Sequence, residues 1–304
     1  MEQQDLLRQV KRWKQEQGAL VAAHTYQSPE VQEAADVLGD SFALAQKVAA
    51  AEAEIVYLCG VRFMAEGIKI LSPGKKVVLV EPTADCPMAR QIQPERVEAF
   101  RAAHPEYAVV AYINTTAELK AVSDVCVTSS SALKIVRALP QKDILFIPDQ
   151  NLGDYVRRQV PEKHIVTWDG FCPVHQALTP EDILAAKAAH PGATVAIHPE
   201  CVPDAVALAD MVGSTAAIID YIRTNDTPVL VATERGVVDK LSPEYPGRLW
   251  QIGADKLVCP DMKRTTLETL ACAMQGRGGE EIRLDETLMA AARSSLTNML
   301  KYGG

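Results

Sequence analysis

Three cysteines that are each followed by proline lie almost the same distance apart in the sequence. They are Cys86, Cys172 and Cys259, with gaps of 86 and 87 residues. Packing alone rarely requires cysteine, and metal chemistry usually decides where it recurs. Three thiolates brought to one centre would hold a metal ion or cluster and leave one position open for a substrate. The spacing therefore predicts a unit used three times, each copy supplying one metal ligand.

The sequence pattern indicates the ligands more clearly than it indicates which metal they bind. Isolated cysteines lack the paired Cys-x-x-Cys spacing of structural zinc sites and ferredoxins. Soft thiolates fit either zinc or an iron–sulfur cluster, which could polarise a substrate hydroxyl or carbonyl through an open position. Alternatively, the three cysteines could simply be small buried side chains at equivalent positions of a repeat. That alternative does not explain why all three positions hold cysteine when the repeat copies differ elsewhere. That alternative suits Cys59, Cys126 and Cys272, whereas Cys201 could line a pocket.

The repeat extends well beyond the cysteines. Three apolar runs, 20–26, 108–114 and 194–200, end in polar residues and superpose at offsets of 88 and 86. The aligned sets are His24, Tyr112 and His198; Tyr26, Asn114 and Glu200; Asp36, Asp124 and Asp210; and Ser41, Ser129 and Thr215. Because several columns agree at constant offsets, we interpret the repeat as real.

Each unit has the pattern of a strand, a helix, a short strand, a helix, a strand and a last strand before Cys-Pro. The predicted second helices are 41–51, 129–139 and 215–224, and the third strands are 55–58, 144–147 and 229–232. The closing strands are 77–80, 164–168 and either 249–252 or 256–258. Alternating strands and helices of these lengths predict parallel sheets covered on both faces.

The expected fold is therefore α/β, with three similar α/β/α domains about a pseudo-threefold axis and the active site at their central interface. Domain 1 would comprise residues 1–87 and 265–304, domain 2 residues 88–175 and domain 3 residues 176–264. Terminal helices would begin near residue 3 and after Asp285, and pack on domain 1 or 3. Thr265 and Glu268 have the spacing of a capping box.

Ligands in open parallel sheets gather beyond the carboxyl ends of the strands. The polar residues that end the three apolar runs occupy this position. Ser41, Ser129 and Thr215 follow the second strands and are predicted N-caps. Capping alone would be worth about 1 kcal/mol, but a helix N-terminus at this edge also favours anions. His175, three residues after Cys172, would lie beside any bound metal, whereas the remaining histidines, His104, His164 and His190, have the pattern of structural residues.

Composition excludes several function classes. The 304 residues carry a net charge of −8, which argues against a nucleic-acid surface. No run of 18 apolar residues occurs, so no membrane span is expected. The first residues lack a signal-peptide pattern, and an odd number of cysteines, seven, fits a reducing compartment. We therefore expect a cytoplasmic protein that contacts neither membrane nor nucleic acid.

At this point the motifs can be considered as a set. Together they closely resemble the quinolinate synthase family: His24-Thr-Tyr26, Gly39-Asp40-Ser41, Asp85-Cys86-Pro-Met-Ala, Tyr112-Ile-Asn114, Ser129-Ser130, Phe171-Cys172-Pro-Val-His175, His198-Pro-Glu200-Cys201, Gly213-Ser214-Thr215 and Val258-Cys259-Pro-Asp-Met-Lys263. The resemblance runs essentially from end to end. It implies three related α/β/α domains, in agreement with the repeat, and a 4Fe-4S cluster on Cys86, Cys172 and Cys259 with one open iron.

The resemblance also implies a reaction. Iminoaspartate and dihydroxyacetone phosphate would condense to quinolinate for NAD biosynthesis, with loss of phosphate and two waters. An aspartate oxidase or dehydrogenase would supply the unstable iminoaspartate. The implied catalytic residues are Tyr26, Tyr112, Glu200, His24 and His198. The implied substrate-binding residues are His24, Ser41, Tyr112, Asn114, Ser129, His175, His198, Glu200 and Thr215. Lys263 could add charge near the cluster or lie at the surface.

Two other functions fit parts of the same pattern. A zinc-dependent lyase could use the three thiolates and a bound water, and such a protein would be colourless. A sensor without enzymatic activity could bind an anionic metabolite while its cysteines report iron or oxygen. The tyrosine, histidine and glutamate residues at the strand ends exceed what binding alone requires, so the sensor ranks last.

Overall fold

A computed structural model describes residues 3–303, along which helices and parallel strands alternate. The first unit contains α1 (Gln3–Glu16), β1 (Ala19–His24), α2 (Pro29–Ala34), β2 (Val37–Gly39), α3 (Ser41–Ala50), β3 (Ile55–Cys59), α4 (Arg62–Leu71) and β4 (Lys76–Leu79). The apolar stripe of α1, which includes Leu6, Leu7 and Val10, is buried. Residues 1, 2 and 304 of the predicted first domain lie outside the described residues.

The second and third units follow the same plan. The second has α5 (Pro94–Ala103), β5 (Ala108–Tyr112), α6 (Ala117–Ala121), β6 (Val125–Val127), α7 (Ala132–Ala138), β7 (Asp143–Ile147), α8 (Gln150–Gln159) and β8 (His164–Thr167). The third has α9 (Pro173–Gln176), α10 (Pro180–Ala189), β9 (Thr194–Ile197), α11 (Pro203–Val206), β10 (Met211–Val212), α12 (Thr215–Thr224), β11 (Val229–Ala232), α13 (Gly236–Leu241) and β12 (Leu249–Gln251). The chain ends with α14 (Leu267–Met274), β13 (Glu280–Glu281) and α15 (Glu286–Gly303).

Each unit forms one sheet in which the second strand lies at one edge, followed by the first, the third and the fourth. The orders are β2-β1-β3-β4, β6-β5-β7-β8 and β10-β9-β11-β12, and every pair within them is parallel. The short strand β13 adds antiparallel to β4. The predicted α/β fold with parallel sheets is therefore confirmed.

The predicted element pattern omitted one helix in every unit. Helices α4, α8 and α13 connect the third strand to the fourth. Such a connection is required because two parallel neighbours cannot be joined by a tight turn and need a crossover. The last closing strand is β12, the first of the two predicted alternatives, whereas residues 256–258 form no strand.

An aspartate directly precedes the second strand of each unit and makes the same hydrogen bond in all three. Its Oδ2 accepts from the backbone N–H of a valine in the first strand, in these pairs: Asp36 with Val21 (2.9 Å), Asp124 with Val109 (2.7 Å) and Asp210 with Val195 (2.8 Å). Each carboxylate thus joins the first strand to the start of the second. The aspartate column of the repeat therefore has a common structural role.

Two predicted features at the chain end need correction. The capping box of α14 is formed by Thr266 and Thr269, because the helix begins one residue later than a Thr265 cap requires. Helix α15 contacts α4 of the first unit, as expected, but it packs mainly on α6, β6 and α7 of the second. Leu296 and Met299 of α15 are fully buried in the core that includes the second sheet.

The apolar cores differ between the units. One continuous core joins the first and second sheets and includes the buried face of α15. In the third unit successive strand residues alternate between two clusters, so Val195 and Ile197 face one while Ala196 faces the other. Within residues 3–303, no helix combines the length and the apolar character that crossing a membrane requires.

Candidate functional site

The first strands of the three sheets deliver polar side chains to one place. His24 and Tyr112 are the last residues of β1 and β5, and His198 directly follows β9; all three are buried. Two residues further on stand Tyr26, Asn114 and Glu200. All six line a single cavity, which we call the polar cavity. The chain therefore brings one strand end from every unit to a shared centre, as parallel sheets allow.

The hydroxyl residues of the repeat line the same cavity but are not N-caps. Ser41 and Thr215 are the first residues of α3 and α12, and the caps are the preceding Asp40 and Ser214. Asp40 Oδ1 accepts from the Ala43 N–H at 2.9 Å, and Ser214 Oγ accepts from the Ala217 N–H at 3.2 Å. The capping prediction was wrong by one residue, which leaves the Ser41 and Thr215 hydroxyls beside the cavity.

The prediction for Ser129 was wrong for a different reason. Helix α7 begins only at Ala132, because Ser131 Oγ accepts from the Thr128 N–H at 2.9 Å and closes a turn first. Ser129 therefore lies in the loop between β6 and α7, and it lines the polar cavity from there.

The three Cys-Pro motifs meet at a second cavity. Cys86, Cys172 and Cys259 all line it. Cys86 and Cys172 directly precede short helical turns, and Cys259 lies three residues before another. Burial raises the pKa of Cys86 to about 12 and that of Cys259 to about 11, and it holds the pKa of Cys172 well above the usual value. These three thiols therefore keep their protons in this environment unless a cation displaces them.

The polar cavity and this thiol cavity adjoin each other. Tyr26, Phe63, Asn114, Glu200 and Met262 line both of them. His175 lines the thiol cavity, so every predicted site residue lies at one cavity or the other. The roles assigned to these residues stay predictions.

A chain of hydrogen-bonding groups links the two cavities. The Tyr26 hydroxyl lies 2.7 Å from Thr215 Oγ1 and 3.0 Å from Thr233 Oγ1. Thr233 Oγ1 lies 3.1 Å from His175 Nε2. On the opposite side of the ring, His175 Nδ1 lies 3.0 Å from Glu200 Oε2. These contacts form a path for protons between Tyr26 and Glu200, and its inner members, Thr233, His175 and Glu200, are buried.

Burial sets the charge states around the polar cavity. It lowers the pKa values of both His24 and His198 to about 3, so these imidazoles are neutral at pH 7. It raises the pKa of Tyr26 and Tyr112 well above 10, so both phenols keep their protons. Burial would raise the pKa of Glu200 as well, but the adjacent His175 and His198 outweigh it, and the pKa is lowered. Glu200 is thus a carboxylate among proton donors.

Sequence reasoning missed two residues that follow a third strand. Thr233 and Glu234 come directly after β11 and are fully buried. Glu234 Oε1 accepts from the Cys259 N–H at 3.1 Å and pairs with Lys263 Nζ at the same distance. Lys263 also donates to the carbonyl oxygen of Tyr26. The signal was available, because the carboxyl end of a third strand lies at the same sheet edge as the end of a first strand.

A buried lysine that sequence reasoning also missed supports the loop carrying Asn114. Lys120 is fully buried on α6, and its Nζ donates to the Ile113 carbonyl at 2.9 Å and to the Thr115 carbonyl. The same ammonium lies 5.5 Å from the centre of the Phe63 ring. Lys120 therefore fixes two walls of the polar cavity without lining it.

The remaining cysteines stand apart from both cavities. Cys59 and Cys126 are fully buried, as expected for packing residues, and Cys272 is half-buried on α14. Cys201 lies in one core of the third unit rather than at a cavity wall. The core cysteines therefore provide controls for substitutions at Cys86, Cys172 and Cys259.

Comparison with known proteins gives a consistent result. A family model described as quinolinate synthetase A protein matches residues 8–301. The chain is similar to a quinolinate synthase of Caldicellulosiruptor bescii, with 44% identity over 98% of each chain. It is also 43% identical to one from Methanoregula boonei, over 97% of each chain, and 42% identical to one from Clostridioides difficile, over 98% of each.

Proposed function

Because the chain belongs to the quinolinate synthetase A family and is an enzyme of this type, we propose that it makes quinolinate from iminoaspartate and dihydroxyacetone phosphate. The condensation releases phosphate and two waters, and its product serves NAD biosynthesis. One observation supports this proposal above the others. Three thiols line a cavity that shares Tyr26, Asn114 and Glu200 with a cavity built from strand ends.

The polar cavity has the groups that two anionic substrates need. Helices α3 and α12 begin at its wall, and their N-terminal N–H groups favour carboxylate and phosphate. The hydroxyls of Ser41, Ser129 and Thr215 and the Asn114 amide add neutral donors. The neutral imidazoles of His24 and His198 would orient a substrate through hydrogen bonds without attracting a further anion.

The three thiols suit an iron–sulfur cluster. Cys86, Cys172 and Cys259 come from three separate stretches of chain, and soft sulfur donors at a shared cavity match the ligands of a 4Fe-4S cluster. When bound there, a cluster with three cysteine ligands would supply an open iron that acts as a Lewis acid on a substrate hydroxyl or carbonyl. Glu234 and Lys263 would hold the backbone of Cys259 in place.

The residues of the polar cavity would move the protons of condensation and dehydration. Glu200 is the carboxylate, so it accepts a proton from a substrate carbon or nitrogen. Tyr26 and Tyr112 keep their protons and can donate to a departing hydroxyl. The Thr233 hydroxyl and the His175 ring return a proton from Glu200 to Tyr26 over contacts of 3.0–3.1 Å. Burial of Thr233 and His175 would keep water away from this part of the path.

The architecture and cellular setting follow as parts of the proposal. The three units, with equal strand orders, would be related by a pseudo-threefold axis through the site, and the three predicted domains would be these units with their terminal helices. An aspartate oxidase or dehydrogenase would supply iminoaspartate, and the enzyme would act in the cytoplasm. Membrane and nucleic acid would have no part in its activity.

The test is an anaerobic purification followed by iron and sulfide analysis. We expect brown protein with equal amounts of iron and sulfide, and quinolinate formed from the two substrates. Cys86→Ser, Cys172→Ser and Cys259→Ser should each lose the colour, whereas Cys59→Ser should keep it because that thiol is buried in a separate core. Protein that stays colourless after chelation and anaerobic treatment with iron and sulfide, or full colour in any of the three variants, would contradict the proposed cofactor.

A further inference from the structure

One nitrogen of His175 faces two acidic groups at once. Its Nδ1 lies 3.3 Å from Cys172 Sγ and 3.0 Å from Glu200 Oε2. The three donor atoms lie within 4.8 Å of one another, and His175 and Glu200 are almost fully buried. A ring nitrogen carries at most one proton, which it can share well with only one neighbour. A cation between the three atoms would satisfy all of them together.

The two separations from His175 Nδ1 suit one small divalent ion, and the Cys172 thiol and the Glu200 carboxylate lie within 4.8 Å of each other. In a tetrahedral zinc site, bond lengths of 2.0–2.3 Å place nitrogen, oxygen and sulfur ligands roughly 3.3–3.6 Å apart. The two measured separations, 3.0 and 3.3 Å, differ from those values by a few tenths of an ångström. A mixed set of thiolate, imidazole and carboxylate is also one that zinc accepts. A fourth position would open towards the thiol cavity.

The surroundings of the three ligands are those of a metal site. Thr233 Oγ1 lies 3.1 Å from His175 Nε2, so it can fix the ring with Nδ1 free for a metal. Asn151 Nδ2 donates to the Glu200 carbonyl at 3.0 Å and holds the backbone of that ligand. A thiolate and a carboxylate would neutralise a divalent ion, which removes the main cost of burying a charge here.

We propose that the protein without its iron–sulfur cluster binds one zinc ion through Cys172, His175 and Glu200. This site differs from a three-thiolate site because Cys86 and Cys259 take no part. Since Cys172 belongs to both ligand sets, zinc occupation and cluster assembly exclude each other. That second statement rests on the proposed function, whereas the zinc site itself does not.

Metal titration of the cluster-free chain tests the ligands. Chelator-treated protein is titrated with Zn²⁺ against a chromophoric chelator, and with Co²⁺, whose bond to a thiolate absorbs in the near ultraviolet. We expect one ion per chain. His175→Ala, Glu200→Ala and Cys172→Ala should weaken binding by at least the roughly 10–100-fold expected for loss of an outer-shell partner. Cys86→Ala and Cys259→Ala should bind as the unaltered chain does.

Two results would overturn the assignment. Loss of the ion in Cys86→Ala and Cys259→Ala would mean that three thiolates hold it, and unaltered affinity in His175→Ala and Glu200→Ala would mean that neither side chain is a ligand. Thr233→Val keeps every ligand and should still weaken Zn²⁺ binding about tenfold through the loss of the outer hydrogen bond. Circular dichroism of each variant establishes that the fold persists.

A reconstitution experiment tests the exclusion. Zinc-loaded and zinc-free samples are treated anaerobically with iron and sulfide, and the brown absorbance is followed. We expect colour only in the zinc-free sample, and in the zinc-loaded one after chelation. Colour that develops with zinc still bound would overturn the exclusion. If the zinc-free sample also stays colourless, the proposed cofactor fails, while the titration decides the zinc site independently.

Discussion

Single residues at the polar cavity are held in the charge state that their proposed roles require. Burial keeps the Tyr26 and Tyr112 phenols protonated, and the histidines beside Glu200 keep it ionised. The donors and the acceptor are therefore distinguished by their surroundings rather than by residue type alone. This distinction makes each side chain separately testable.

Removing the Tyr112 hydroxyl should reduce turnover without disturbing the proposed iron–sulfur cluster. In Tyr112→Phe the ring still fills its buried place at the end of β5. Loss of a positioned proton donor lowers rates by roughly 10²–10⁴-fold. Quinolinate formation and brown absorbance are measured together, with Tyr155→Phe on α8 as the control. Unchanged turnover in Tyr112→Phe would remove this residue from the mechanism.

Buried neutral histidines make stability depend on pH. His24 has a pKa of about 3 in the folded chain against 6.5 when exposed, so between these values only the unfolded chain takes up the proton. Stability should therefore fall as pH decreases through this window, by about 1.5 kcal/mol from this residue between pH 6.5 and 5. Unfolding in urea at both pH values measures the loss.

The matched variant is His24→Asn, whose side-chain oxygen can replace Nδ1 as acceptor for the Tyr26 N–H. The stability of this variant should fall less than that of the unaltered protein over the same pH interval. The variant lacks the His24 imidazole, whereas all other titrating groups are the same in both proteins. Parallel pH dependences in the two proteins would show that His24 does not titrate in this way.

At the scale of elements, the hydroxyl residues at the site are not the residues that cap the helices. Asp40 and Ser214 cap α3 and α12, and the next residues, Ser41 and Thr215, line the polar cavity together with Asp40. A shift of one residue in the helix start would rotate each side chain by about 100° around the axis. Lys120 of α6 similarly fixes the loop after β5 from behind.

A substitution at a cap should therefore change stability, whereas a substitution at a cavity residue should change substrate binding. Ser214→Ala removes the acceptor for the Ala217 N–H and should cost about 1 kcal/mol of unfolding free energy. Ser41→Ala leaves the Asp40 cap intact, so its stability should change by less than about 0.5 kcal/mol while KM for the substrates rises. Urea unfolding and steady-state kinetics of both variants measure this. Equal losses of unfolding free energy in Ser214→Ala and Ser41→Ala would indicate that Ser41 also caps its helix.

At the scale of the whole molecule, the last helix packs against two units that share one hydrophobic core. Helix α15 packs on α4 of the first unit and on α6, β6 and α7 of the second, within the core that these units share. The third unit has its own clusters on both faces of its sheet. Stability of the first two units should therefore be coupled through α15.

Leu296 is the residue for testing how much α15 stabilises the shared core. It is fully buried in the shared core, so Leu296→Ala should lower the unfolding free energy by about 2–5 kcal/mol. Leu184→Ala, at a side chain that is 54% exposed, should change it by less than about 0.5 kcal/mol. Urea unfolding followed by far-ultraviolet circular dichroism compares them. Similar small losses would show that α15 is dispensable to the core.

Much of the site could be predicted because it follows from strand order. Cys86, Tyr112 and Glu200 were singled out from columns of the repeat, and parallel strands must place equivalent ends at equivalent sheet edges. Thr233 and Lys120 were missed because neither stands in such a column. Their contacts with His175 and with Ile113 join residues far apart in the chain or hidden behind the cavity wall.

The sequence by itself determined the repeat, the α/β class and the residues of the repeat columns that reach the two cavities, since periodic apolar runs and strand-end positions are local properties of the chain. Tertiary structure alone decided which residue caps each helix, where α15 packs and how Thr233 connects Tyr26 to His175. The capping residue depends on which of two adjacent residues begins the helix, and the other outcomes depend on contacts between units. The residues of a short segment determine neither of these by themselves.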